Sequence, residues 1–260
     1  MKVEELRLAL EQLGLSTKGN KTKLKERLKK AKKEAKEVKK EEEEEEPKIN
    51  KQPFDYYLFF DVEATCIENG GFKYANEIIE FPVVLVDGKT FEIVDEFRSY
   101  VKPTINPTLS EFCMKLTGIS QDTVDNSPIF IDVLNQFQEF LAKYNLFQSS
   151  SAVFVTDGPF DIRDFITKQL EHSNIDPRPA YFTLPWINIR KLFKDFYHQT
   201  QNKNINGMLE HLNMSFKGRE HSGLDDARNL AYIAKRMHEE GCIFKANCKL
   251  QKRQGNRKSR

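Results

Sequence analysis

The chain has few cysteines. Cys66, Cys113, Cys242 and Cys248 are the four in 260 residues, and their spacing fits neither a zinc site nor a disulfide framework. Free thiols in a reducing, intracellular compartment are therefore expected. No apolar run approaches membrane-spanning length, and the first residues are amphipathic and charged, unlike a signal peptide, so no membrane partner is expected. There is also almost no net charge: 41 Lys and Arg stand against 39 Asp and Glu, a formal +2. The charges that are present are segregated. Residues 21–40 are rich in lysine, residues 41–46 are all glutamate, and the stretch after Cys248 is basic without an acid. Basic blocks of this kind supply local affinity for phosphate backbones whatever the net charge.

Periodicity divides the chain. Leu6, Leu10 and Leu13, then Leu24 and Leu28, recur at helical spacing on either side of the loop GLSTKGNKTK, which predicts two short helices joined by a basic loop. So small a unit has little core of its own. The Lys-rich and Glu-rich run that follows reads as a solvated spacer, and Pro47 to Pro53 separate it from the main domain. The expected organisation is a module over 1–36, a charged linker over 37–53, a main domain over 54–248 and a basic tail over 249–260.

In the main domain, YYLFFDV (56–62), NEIIEFPVVLVD (76–87) and TFEIVDEFRSYV (90–101) read as strands, with Pro82 suggesting an edge or a bulge and Asp87-Gly88 a hairpin turn. A short helix is predicted over 109–118. Another opens with Ser127 as N-cap and Pro128 as first residue and buries Val133, Phe137, Phe140 and Leu141. SAVFVTD (151–157) reads as a further buried strand. Helices are predicted near 160–172, 188–198, 205–212 and 223–239, the last with Ala227, Leu230, Ala231, Ala234 and Met237 inward. Strands first, then alternation with helices, predicts an α/β fold with a mixed five-stranded sheet flanked by helices.

Carboxylates gather at the ends of these strands. Asp61 and Glu63 follow an aromatic strand and, being two residues apart, share one face of it. Like charges that close repel unless cations offset them, and hard divalent cations with oxygen ligands do so. Asp157 and Asp161 follow the second buried strand; acids there also complement a helix N-terminus, the reading preferred for Asp157. His221 and Asp226 bracket the start of the last helix. Five residues along a continuous helix separates them around the axis, so they converge only if His221 lies on the loop before it, which Gly218 and Gly223 allow.

D-x-E, a distant F-D and H-x4-D together resemble the three motifs of the DEDDh 3′–5′ exonucleases, which have an RNase H-like fold. FFDVEATC, NEIIEFPVV, EFCMKLTGIS, TDGPFD, WINIRK and HSGLDDARNLA extend the likeness to the Eri-type exoribonucleases over about residues 56–244. LRLALEQLGLSTKGNKTKLKERL resembles the SAP module that accompanies them. Phe160 stands where many relatives have Trp, and Ile162 where Met is common.

The resemblance implies two Mg²⁺ ions, with Mn²⁺ as a substitute, held by Asp61, Glu63, Asp161 and Asp226, and His221 as general base. An imidazole titrates near neutrality, which suits that role. It implies substrate contacts from Glu63, Ala64, Thr65, Leu116, Phe160, Ile162 and His221, and SAP contacts from Lys18, Lys21, Lys23 and Arg27. Trp186 is expected in the core. The implied activity is stepwise hydrolysis of RNA 3′ ends (stem-loops, duplex overhangs or rRNA) to nucleoside 5′-monophosphates. A monomer is expected, in the cytoplasm or nucleus including the nucleolus, with other RNA-binding proteins or the ribosome as further partners. The alternatives are an exonuclease acting on DNA and a nucleic-acid-binding adaptor without catalysis.

Overall fold

The N-terminal leucine repeat closes a small helical pair. In the computed structural model, which describes residues 2–45 and 51–251 and the side chains of 2–33 and 51–251, α1 (Val3–Gln12) and α2 (Lys21–Glu45) bury Leu6, Leu10, Leu24 and Leu28 together. Leu13 departs from the expected stripe. It is the residue that ends α1, where the chain turns away, and it is 51% exposed. Asn20 starts α2 by accepting the Lys23 amide on Oδ1 at 3.1 Å. Lys18, Lys21 and Lys23 face solvent. Arg27 does not: its guanidinium donates to the Ser16 and Lys18 carbonyls and braces the loop. The lysine-rich stretch is a helical continuation of α2. Residues 46–50 of the expected linker and 252–260 of the expected tail lie outside the described residues. The chain divides into two compact units between residues 49 and 50.

The second unit runs β1 (Tyr56–Phe60), β2 (Glu63–Ala64), β3 (Ile78–Asp87), β4 (Ile93–Tyr100), α3 (Glu111–Thr117), α4 (Gln121–Asp125), α5 (Phe130–Lys143) and β5 (Ala152–Thr156). A wide π-type turn (Asp161–Phe165) then leads into α6 (Ile166–His172), followed by β6 (Ile187–Asn188), α7 (Ile189–Phe196), α8 (Ile205–His211) and α9 (Gly223–Glu239). One helix start differs from expectation. Ile129, not Ser127, precedes α5; the Ser127 hydroxyl donates to the Thr123 carbonyl at 2.6 Å, so it closes α4 instead of opening α5.

The sheet is mixed. β3 pairs antiparallel with β1 on one side and β4 on the other, β1 pairs parallel with β5, and β5 with β6. It has six strands among the described residues, one more than expected. Neither two-residue strand is among those the sequence places: β6 falls at the start of the helix predicted near 188–198, and β2 continues the line of β1 along the same side of β3.

Both faces of the sheet are covered, which explains the unbroken apolar runs of its strands. Tyr57, Phe59, Val84, Val86, Val153 and Val155 pack under α7, α8 and α9. Their neighbours Leu58, Phe60, Phe81, Val83, Leu85 and Phe154 pack under α5 and α6. Trp186 is 1% exposed in that second core, as expected.

Candidate active site

β1 stops where its partner loses a donor. Phe60 pairs with Val83 and Glu63 with Glu80, so Asp61 stands opposite Pro82, which has no amide hydrogen. Pro82 thus marks neither an edge nor a bulge of β3 but a break in the adjoining strand line. The alternation of β1 carries Asp61 and Glu63 onto the face of Tyr57 and Phe59, the side covered by α9. Val62 between them turns into the opposite core.

Asp161 reaches the same place from the first turn after β5. Its Oδ1 accepts the Val62 amide at 3.1 Å, which ties the π-type turn to the end of β1. Such a turn widens the helix and leaves carbonyls needing donors. Arg178 supplies one, donating Nη2 to the Ile162 carbonyl at 2.8 Å.

Asp226 comes from the first turn of α9, which packs flush against the broken strand. A Cβ on Gly223 would collide with the Asp61 carbonyl oxygen. Beneath it, Glu80 is fully buried and accepts the Gly223 amide at 3.1 Å and Arg98 Nε at 2.8 Å. This carboxylate therefore satisfies the start of α9 across the sheet. Gly223→Ala is expected to lower Tm by about 3–10 °C, the effect of ~1–3 kcal/mol of overpacking in a domain this size. Activity should fall with it, as α9 is pushed off Asp61; thermal unfolding and an RNA-shortening assay check both.

His221 sits on the loop before α9, as convergence with Asp226 requires, with φ of 61°. The loop is tied down on both sides. Asp225 accepts the Arg219 amide at 3.0 Å. Arg219 Nη2 donates to the Lys115 and Leu116 carbonyls at 3.2 Å, at the end of α3. Gly118 leaves room for that guanidinium, since a Cβ there would collide with Arg219 Nη1.

These groups face one cleft of about 400 Å³, lined by Asp61, Glu63, Asp161, His221 and Asp226. Ligand atoms of Glu63, His221 and Asp226 lie within 4.8 Å of one another. Burial, then the charges of Asp161, Asp226 and Glu63, holds the Asp61 carboxyl well above its usual range. Burial and the Asp226 charge do the same to Glu63. Burial pushes Asp161 and Asp226 up to about 7. Four oxygen-donor acids that resist ionising together fit divalent cations, whose charge would relieve both burial and repulsion.

These shifts set a pH dependence. Between the unfolded carboxylate range near ~4 and about 7, the folded metal-free protein holds protons at Asp161 and Asp226 that the unfolded chain has released. That stabilisation is complete below the unfolded value and is lost as pH rises through the folded one. In EDTA, these groups should lower Tm from pH 6 to pH 8. Added Mg²⁺ should raise Tm more at pH 8 than at pH 6, as a thermal unfolding series would read.

Of the expected substrate residues, Ala64, Leu116 and Phe160 line the cleft with Glu63 and His221. Two do not. Ile162 is 1% exposed in the core under α6, because the π-type turn that aims Asp161 at the cleft turns its neighbour inward. Thr65 is 2% exposed, and its hydroxyl accepts the Glu77 amide at 2.9 Å, locking the β2–β3 register shift. Asp157 is no helix acid: it forms a two-pronged ion pair with Arg190 at 2.6 and 2.5 Å, and both line the cleft. The sequence reading missed Arg190, Arg219 and Glu80. Only Gly118, in LTG, hinted at one of them.

Sheet, break and cleft together define a site suited to divalent cations. The exonuclease family (RNase_T) matches residues 58–234 and the SAP domain residues 1–33. The 3′-5′ exonuclease eri1 of Schizosaccharomyces pombe is 43% identical over 268 residues, covering 94% of this chain and 90% of that protein. The human 3′-5′ exoribonuclease 1 is 40% identical, covering 96% and 70%. A solved complex described as 3′-end specific recognition of histone mRNA stem-loop by 3′-exonuclease has a TM-score of 0.74 at 40% identity, covering 96% of this chain and 85% of that one. The nuclease domain of 3′hExo, a DEDDh family member bound to rAMP, has a TM-score of 0.72 at 42% identity, covering 76% and 98%. The chain belongs to the exonuclease family and, within it, to the 3′–5′ exoribonucleases.

Proposed function

We propose that the chain removes nucleotides one at a time from the 3′ ends of structured RNA, such as a stem-loop with a single-stranded tail, using two Mg²⁺ ions. The observation that carries this is the convergence of Asp61, Glu63, Asp161 and Asp226 with His221 in one cleft. The four carboxylates hold the ions directly or through water. When bound, such ions neutralise phosphate charge, lower the pKa of a bound water and stabilise the leaving oxygen. His221, on its braced loop, takes the proton of the attacking water. Leu116 and Phe160 hold the terminal base from two walls of the cleft. Glu63 and the backbone at Ala64 meet the terminal sugar. Arg190 fixes Asp157 and keeps a positive charge beside the acids.

Lys18, Lys21 and Lys23 of the N-terminal module add phosphate affinity and salt dependence. Four free cysteines suit a reducing compartment, and the protein acts there as a monomer. The deciding experiment is a 5′-labelled RNA with a 3′-hydroxyl. Mg²⁺ should give a descending ladder and nucleoside 5′-monophosphates, and excess EDTA should stop it. Equal shortening in EDTA would overturn the metal reading, and faster attack on the matched DNA would overturn the substrate.

A further inference from the structure

One aromatic side chain at the cleft mouth belongs to none of the sheet cores. Phe72, in the loop between β2 and β3, is 48% exposed. Its ring stacks on Phe160 with centroids 5.3 Å apart and planes at 18°, and it meets Phe165 at 5.5 Å. Phe160 and Phe165 line the cleft; Phe72 lies against them from outside it. A half-exposed ring usually sits on a loose loop, but this loop is pinned. Lys168 Nζ donates to the Phe72 carbonyl at 2.6 Å, the Tyr74 carbonyl at 2.9 Å and Asn76 Oδ1 at 2.8 Å. The same ammonium lies 5.6 Å from the Phe72 ring centre, and the Arg163 guanidinium lies 5.4 Å from that of Phe160. The loop thus presents a fixed apolar face, flanked by two cations, next to the ring proposed to hold the terminal base.

We propose that Phe72 is a second stacking platform, which receives the base immediately 5′ of the terminal nucleotide. The inference rests on the exoribonuclease reading. Hydrolysis of the last phosphodiester requires that phosphate to lie at the carboxylates, with the terminal nucleotide inside the cleft and the next one outside. Phe160 lines the cleft and Phe72 stacks on it from outside, so the pair runs from the cleft to the surface beside it. Stacking on a ring tolerates any base, and a ring already held in place loses little entropy when a base arrives.

Phe72→Ala and Phe72→Trp are compared with the wild type on a single-stranded oligoadenylate with a 3′-hydroxyl. Phe72→Ala should raise KM at least about fivefold, the lower end of one base–aromatic stack, with kcat within about twofold. Phe72→Trp should restore KM. Inhibition by AMP, which fills only the terminal site, should not change. An RNA abasic at the penultimate position should bind the wild type as weakly as the intact RNA binds Phe72→Ala, with no further loss in the variant. An unchanged KM in Phe72→Ala would overturn the proposal. So would an equal loss of AMP affinity, which would make Phe72 a prop for Phe160. Fluorescence anisotropy of the same RNAs with Mg²⁺ in a His221→Ala background, where turnover is slowed, repeats the comparison as a binding measurement. Absence of cleavage by the wild type would then count against the exoribonuclease, and an unchanged Kd in Phe72→Ala against the platform.

Discussion

Asp226→Asn should reduce RNA shortening about a thousandfold or more, the loss of several kcal/mol of transition-state stabilisation at a metal site. Asp225→Asn should stay within about tenfold, because Asn keeps an oxygen that can accept from the Arg219 amide and the lost charge lies on the loop's brace. The two acids are adjacent in sequence and similar in chemistry, so the contrast tests position alone. Asp226 is buried and lines the cleft among the other carboxylates. Asp225 turns aside to the Arg219 amide and to Arg228 Nη1, each at 3.0 Å. Initial rates at saturating Mg²⁺, with Mg²⁺ binding by calorimetry, separate the cases. If Asp225→Asn proved the more damaging, the catalytic carboxylate would have been misassigned.

His221→Ala should slow turnover about 10²–10⁴-fold, the range of a positioned general base, with Mg²⁺ affinity largely kept. The geometry makes this a sharp test. A ring nitrogen of His221 lies within 4.8 Å of ligand atoms of Glu63 and Asp226, near enough for it to be a ligand instead. Calorimetry decides: loss of a bound Mg²⁺ together with rate would make His221 part of the metal cage. Because the residue sits on a loop at positive φ, Asn at this position keeps the backbone more readily than Ala. His221→Asn therefore controls for loop distortion.

The parts of the site that obey short-range rules were legible in the sequence. The alternation of β1 put Asp61 and Glu63 on one face, and the separation of His221 from Asp226 required a loop that the fold contains. What escaped was set by distant partners. Glu80 looks like one more strand residue until Gly223 and Arg98 arrive from 143 and 18 positions away. Arg27 looks like one more surface cation, but it caps carbonyls in its own loop. Ile162 is a substrate residue only by the resemblance, at a position where Met is common, but the π-type turn sends it into the core while Asp161 faces the cleft. Arg190 was hidden for the opposite reason: its partner Asp157 had an adequate local explanation as a helix acid.

The docking of α9 on the broken strand bears on how the enzyme comes into being. Asp61, Glu63 and Asp161 can all be in place on the sheet while Asp226 and His221 are still missing, because both arrive with the segment around Gly223. A chain emerging from the ribosome therefore carries an incomplete metal cage until its final long helix has been made and has settled over Asp61.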